Sequence, residues 1–379
     1  MESSTARAFD PGTLAAGFAR LDRAAIEEIV RGGRRLLVQG AMGIDASDGL
    51  AGKVAAVHSD RFVCAGTVSG VVKTDAHLRA ELRRARAEAD GGFVGVNLMA
   101  AINRDDFERS ARVAIEERVS FIVQGAGISR DIVRWCKEGG VPFAGIVSSG
   151  RLAAVYEKWG ADFVVAEGAD AGGHIGDIGH PLPALLAEVR AHSSLPVVAA
   201  GGVTGEDVAR YLDAGAAGVQ LATRFIASSD GDAHETFKQM HLEHTAADVA
   251  IITSCVKGMQ ARAVRSAFTD ALARGVVFPP RSKAWYFGDE GYRGRHKPCI
   301  ECLAPELCKC RASRFRESFC ITDALLRAVA LGDTELGLYY TGQSLTRLTE
   351  RDAAHLPSIG EIVTGLEIEL GRPAWAAHA

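Results

Sequence analysis

The stretch PVVAAGGVTGEDVARYLDAGAAGVQLATRF, residues 196–225, carries the reading of the chain. It opens with an apolar run, breaks at Gly201 and Gly202, passes through an amphipathic segment and closes on a second apolar run, AGVQLAT (217–223). Short apolar runs without polar alternation are what parallel strands buried on both faces require. Strand, helix and strand in that order make a βαβ unit with a right-handed crossover.

The same unit recurs upstream. Further runs are LLVQG (36–40), FVCAGTV (62–68), FVGVNLM (93–99), FIVQGAG (121–127), VPFAGIV (141–147) and FVVAEG (163–168), which with PVVAAGG and AGVQLAT makes eight. Helical segments are expected between them, among them 104–118, 130–138, 150–159 and 183–192. Periodicity alone does not separate an open doubly wound sheet from a closed barrel. The count of eight favours an α/β fold of the (β/α)8 TIM-barrel type, with its site in the loops after the strand C-termini.

Four regions follow from this reading. Residues 1–33 form an N-terminal cap, with a short helix over 21–30 covering the barrel bottom. Residues 34–229 are the barrel, and 230–285 form a mainly helical insertion on the substrate side. Residues 286–379 hold a small Cys-rich C-terminal module and a helix; LGLYYTGQSLTRL (336–348) is expected to return to the barrel surface.

Composition narrows the function classes. Hydrophobic residues make up 47% and charged residues 24%, and the net charge is −4, with no Lys/Arg run of the kind that marks a polyanion binder. A small-molecule substrate is therefore the expected partner, with no nucleic acid. The start MESSTARAFDPG lacks a signal-like pattern and no apolar stretch is long enough to span a bilayer, so a cytoplasmic protein without membrane contact is expected. A homodimer is the default assembly, because symmetric pairs are the commonest.

Two places carry chemistry in the barrel. Gly201 and Gly202, between a buried strand and a helix N-terminus, let backbone N–H groups approach a phosphate, and Thr223 follows one strand later. The alternative is a tight turn that needs glycine for shape alone. In AEGADAGGHIG (166–176), Glu167 ends a strand, Gly172 and Gly173 leave room for a flat ligand, and His174 comes directly after them.

A third place is the tail. Of eight cysteines, five fall at Cys299, Cys302, Cys308, Cys310 and Cys320, a crowding that in a reducing compartment points to metal before disulfides. Four thiolates can hold zinc or an iron–sulfur cluster, although the spacing matches neither a ferredoxin run nor a zinc ribbon. Free or redox-active thiols are the alternative. His180 either lines the pocket or caps its loop. Cys136 and Cys255 read as small buried hydrophobes.

QGAMG (39–43), GVNLM (95–99), AEGADAGGHIG (166–176), AAGGV (199–203) and VQLATRF (219–225) together resemble one superfamily, that of the nitronate monooxygenases and the flavin-dependent enoyl-acyl-carrier-protein reductases. The resemblance covers about residues 34–275. It implies FMN, with Ala41, Met42 and Gly43 beside the flavin ring and Asn97 and Gln124 near its polar edge. It also implies Glu167 and Gly173 near the ribityl chain, Gly201, Gly202, Ala222 and Thr223 around the phosphate, and Gly172 and Gln220 as further cofactor-binding residues. His174 would be the catalytic base or acid. Where related sequences run into an AGGLG-type strand end, this chain has FVCAGTVSG (62–70), so its substrate side is expected to differ.

Three functions follow from the resemblance. The first is an FMN-dependent nitronate monooxygenase that oxidises an alkyl nitronate or similar carbon acid with oxygen. The second is an enoyl-thioester reductase, for which NADH or NADPH would supply hydride. The third, resting on the tail cysteines, is a flavin and iron–sulfur carrier or redox sensor.

Overall fold

The computed structural model describes residues 17–42, 49–71, 73–100, 104–176, 179–253, 259–276, 319, 321–345 and 356–371. Their centre is a closed barrel of eight parallel strands: β1 (Arg35–Gln39), β2 (Phe62–Ser69), β3 (Phe93–Met99), β4 (Phe121–Gly125), β5 (Phe143–Val147), β6 (Phe163–Glu167), β8 (Val197–Ala200) and β9 (Gly218–Leu221). All eight apolar runs are barrel strands. Closure is made by β9 pairing with β1, Leu37 opposite Val219.

Alternation along each strand explains why both faces had to be apolar. In β6, Val165 points into the barrel with Phe121, Phe163 and Val198. Its neighbours Val164 and Ala166 point outward to meet Leu182, Leu185 and Val189 of α7 (Leu182–His192). Each such side chain taken out of water contributes about 1.5–3 kcal/mol. The expected N-terminal plug is present as α1 (Arg23–Arg31), capped by the Asp22 carboxylate; Leu21 and Ile26 are fully buried in the barrel's inner core.

Segment 230–285 departs from its expected helical character. It holds the helices α10 (Glu235–Glu243) and α11 (Ala267–Ala273), but between them lie β10 (Val249–Thr253) and β11 (Gln260–Val264). These strands pair antiparallel with each other, and β11 pairs with β7 (Gly173–Ile175), a strand within the glycine-rich loop after β6. VAIIT is a short apolar run without polar alternation, and its helical flanks outweighed it in the sequence.

This three-stranded sheet has its own core, in which Ala261, Ala263 and Phe268 pack with Phe319, Ile321, Leu325 and Leu338. Ile321 and Leu325 belong to α12 (Ile321–Leu326), continued by a π-helical turn over Arg327–Leu331. The final helix, α13 (Ile359–Leu370), returns to the barrel wall against α8 (Gly205–Asp213), with a capping box between Ser358 and Glu361. Tyr340, Thr341 and Gly342, in the segment expected to return to the barrel surface, line the mouth of the barrel, with Tyr340 bridging to Ala263. No helix among the described residues is long and apolar enough to cross a membrane.

Candidate active site

The strand C-termini open into a cavity of about 370 Å³ beneath this sheet. That volume lies within the range of small-molecule and cofactor sites, about 300–1,000 Å³. Ala41, Met42, Asn97, Glu167, Gly172, Gly173, His174, Gly201, Gly202, Gln220, Ala222 and Thr223 all line it. Strands far apart in sequence thus bring twelve expected site residues to one space.

Two expected residues are not placed there. Gly43 lies outside the described residues. Gln124 is a correction: its amide accepts a 2.7 Å hydrogen bond from the Tyr156 hydroxyl and donates at 3.1 Å to the Ser129 carbonyl, and it is fully buried away from the cavity. The strand's alternation sends Val123 inward and Gln124 outward. Cys299, Cys302, Cys308, Cys310, Cys320 and Cys255 lie outside the described residues. Cys64 and Cys136 are buried, and burial pushes the Cys64 thiol up to about 12. His180 is not a lining residue; its ring pairs with Glu188 at 3.2 Å.

The two sides of the cavity differ. At the ends of β6, β8 and β9 the wall is rich in glycine, with Gly172, Gly173, Gly201 and Gly202 beside Glu167, Gln220 and Thr223. Gly201 and Gly202 have φ of +88° and +74°, the left-handed region. A Cβ on Gly201 would come within 2.8 Å of the Gly168 carbonyl oxygen, and one on Gly202 within 2.4 Å of the Asp170 Cβ. Shape therefore demands glycine at both positions, and the same two residues face the cavity beside the start of α8. The tight-turn reading of the pair is thus what the backbone itself requires. The Thr223 hydroxyl accepts from the Gly342 N–H at 3.1 Å, which ties the C-terminal segment to this wall.

Across the barrel, at β2 to β4, Val71, Met99 and Ile128 line the cavity together with the polar Thr67, Ser69 and Asn97, and Ile321, Leu325 and Val329 add an apolar face. The spacing of four between the last three puts them on one helical face.

Two titratable groups stand between these sides. Burial pushes the Glu167 carboxyl up to about 7 and the His174 imidazole down to about 4, so both favour their neutral forms. Arg224 also lines the cavity and is charged at all working pH values.

Sequence reading missed several contributors. Gln39 is fully buried; its side-chain oxygen accepts from the Thr67 N–H at 3.1 Å, stapling β1 to β2 just below the mouth. The signal was a glutamine inside LLVQG, a run otherwise apolar. Tyr340, Thr341 and Gly342 lie more than 160 residues from His174 and carry no local motif.

The sequence profile of the nitronate monooxygenase family matches residues 34–367. This chain belongs to that family. Among curated relatives, a (3aS,4S,5R,7aS)-5-hydroxy-7a-methyl-1-oxo-octahydro-1H-indene-4-carboxyl-CoA dehydrogenase of Mycobacterium tuberculosis is 30% identical over 213 residues, 55% of this chain and 59% of that one. A probable nitronate monooxygenase of Staphylococcus aureus is 32% identical over 155 residues, 38% of this chain and 43% of the other. The chain thus spans about half the length of the curated relatives it matches. Two solved structures share the fold. FabK from Thermotoga maritima has a TM-score of 0.70 at 24% identity, covering 91% of this chain and 95% of its own. Nitroalkane oxidase from Streptomyces ansochromogenes has 0.66 at 22%, covering 90% and 97%.

The nitronate monooxygenase family is FMN-dependent. The residues fit that group on their own chemistry: a crowded glycine pair at positive φ, a helix start beside it and the Thr223 hydroxyl suit a phosphate.

Proposed function

We propose that the protein is an FMN-dependent oxidoreductase of the nitronate monooxygenase type, oxidising an alkyl nitronate or a similar carbon acid with oxygen. The observation that carries this reading is the placement of His174. A strand of the covering sheet presents it to the same cavity as the glycine wall, and burial keeps it neutral. FMN, when bound, supplies the electron acceptor.

The chain's own residues do the rest. Gly201, Gly202, Ala222 and Thr223 would hold the cofactor's phosphate, and Gly173 would lie beside its ribityl chain. Neutral His174 can take the α-proton of a nitroalkane at a ring nitrogen, or hydrogen-bond a nitronate oxygen. Glu167, neutral below about pH 7, adds little repulsion toward an anionic substrate. β7 and α12 line part of the cavity and so limit the solvent around each polar contact. The test is oxygen uptake with an alkyl nitronate and no added nicotinamide. Uptake that depends on the nitronate supports the reading, and none in flavin-loaded protein refutes it.

A second reading has one observation in its favour. The apolar face of Ile321, Leu325 and Val329 suits the acyl part of a thioester, the class of substrate acted on by the carboxyl-CoA dehydrogenase relative. NADH or NADPH would then supply hydride, and His174 would polarise the thioester or protonate the adjacent carbon. Oxidation of NADPH that depends on an enoyl thioester would favour it.

A further inference from the structure

Arg262, on β11, is 5% exposed and has no carboxylate within salt-bridge distance among the described residues. Its Nη1 donates to two carbonyl oxygens, of Ala169 at 2.7 Å and of Ala171 at 2.5 Å. Its Nε is buried without a hydrogen-bond partner. Among the described residues, the titratable group that acts on it is Asp170, which is exposed. A buried cation so poorly compensated is costly, and such a residue persists where a nearby negative charge offsets it.

The two carbonyls bracket the loop that supports the glycine wall. Gly168 and Ala171 are the groups that a Cβ on Gly201 would strike, and Asp170 is the one that a Cβ on Gly202 would strike. The Asp170 carbonyl in turn accepts from the Gln343 N–H at 3.0 Å. Every described peptide is trans, so a carbonyl turned toward Arg262 sends the N–H of the next residue the opposite way. For the Ala171 carbonyl, that next residue is Gly172, which lines the cavity. The guanidinium itself lines no part of the cavity and acts from behind the loop.

We propose that Arg262 is a positioning residue for the cofactor phosphate. It fixes the 168–172 loop by its carbonyls and supplies a permanent positive charge behind the Gly201 and Gly202 wall. Guanidinium geometry suits the task because one nitrogen plane reaches two carbonyls while the charge stays fixed. The inference rests on the FMN reading, and it assigns Arg262 a role that substrate chemistry does not need.

The experiment compares two ligands that differ by the phosphate. Flavin is removed from the full-length protein, and the affinities for FMN and for riboflavin are measured by fluorescence quenching. Wild type, Arg262→Met and Arg262→Lys are compared, with a thermal melt of each. We expect Arg262→Met to weaken FMN by about 10- to 100-fold, the scale of a lost hydrogen bond to a charged group. Riboflavin should weaken by less than about threefold, well within ordinary packing effects. Arg262→Lys, which keeps the charge and loses the fork, should fall between. Equal weakening of both ligands would mean that the residue only packs the loop, and that result overturns the proposal. So would unchanged FMN affinity. If Arg262→Met does not melt cooperatively, the FMN-to-riboflavin ratio of Arg262→Lys decides the matter. Wild type that binds neither flavin would instead refute the FMN reading, and the inference with it.

Discussion

The ring of Tyr340 meets the imidazole of His174 edge-on, with centroids 5.7 Å apart and planes at 72°. Tyr340 is held from two other sides. Its backbone bridges to Ala263, and its carbonyl lies 2.9 Å from Nε2 of the buried His241. The residue thus links the segment at the mouth to the strand that carries the candidate base. An edge-to-face pair of this kind contributes about 0.5–1.5 kcal/mol. Tyr340→Phe should therefore keep kcat/KM within about threefold, because the ring contact survives. Tyr340→Ala should lower it by about tenfold or more, as His174 loses its lateral support. Steady-state kinetics on a nitronate series separates the two.

His174 itself gives a sharper result. Its pKa, held near 4 by burial, lies below the ordinary 6.5, so the imidazole is neutral throughout the physiological range. His174→Ala should bind FMN normally and lose about 10²- to 10⁴-fold in kcat, the usual worth of a positioned acid or base. Stability follows the same shift. The unfolded chain takes up a proton as pH falls through 6.5 and the native protein does not until about 4. The contribution present above pH 6.5 is thus lost on the way down to 4. His174→Gln should flatten that part of a melting-temperature profile recorded on flavin-free protein.

Glu167 runs the other way. Its folded pKa is raised from 4.5 to about 7 by burial, so the native state holds a proton that the unfolded chain releases. Its contribution is complete below pH 4.5 and is lost as pH rises through about 7. Flavin-free Glu167→Gln should therefore be more stable than wild type at pH 8, by up to about 3 kcal/mol, with the gap closing in acid. Denaturant titrations at both ends of the range check the sign.

At Gly201, substitution combines a forbidden backbone with a steric conflict. Gly201→Ala must hold a φ of +88° and place a methyl group 2.8 Å from the Gly168 carbonyl oxygen. A loss of about 1–3 kcal/mol in stability is expected. Faster loss of flavin on gel filtration should accompany it, since the same atoms form the wall of the cavity.

The barrel was legible because its strands are buried on both faces, which leaves a signal in each run on its own. The glycine wall and His174 were legible for a related reason: AAGGV and AGGHIG sit at strand ends, where the fold places chemistry. Gln124 misled because one residue along a strand reverses the face, and the length of FIVQG does not show where inward-facing residues begin. The strands β7, β10 and β11 were illegible for a different reason. GHI has three residues, and it is a strand only because Arg262 and its neighbours lie alongside it. Tyr340 and Arg262 owe their positions to tertiary contacts alone, so no local pattern announces them.

Under the nitronate reading, electrons enter this site from a carbon acid. The most direct measurement is an anaerobic visible spectrum of the purified full-length protein, recorded before and after NADH, then NADPH, then an alkyl nitronate. The account predicts a flavin spectrum that neither nicotinamide changes and that the nitronate bleaches. Rapid bleaching by a nicotinamide, with no response to the nitronate, would contradict it and move the protein to the thioester-reducing side of its superfamily.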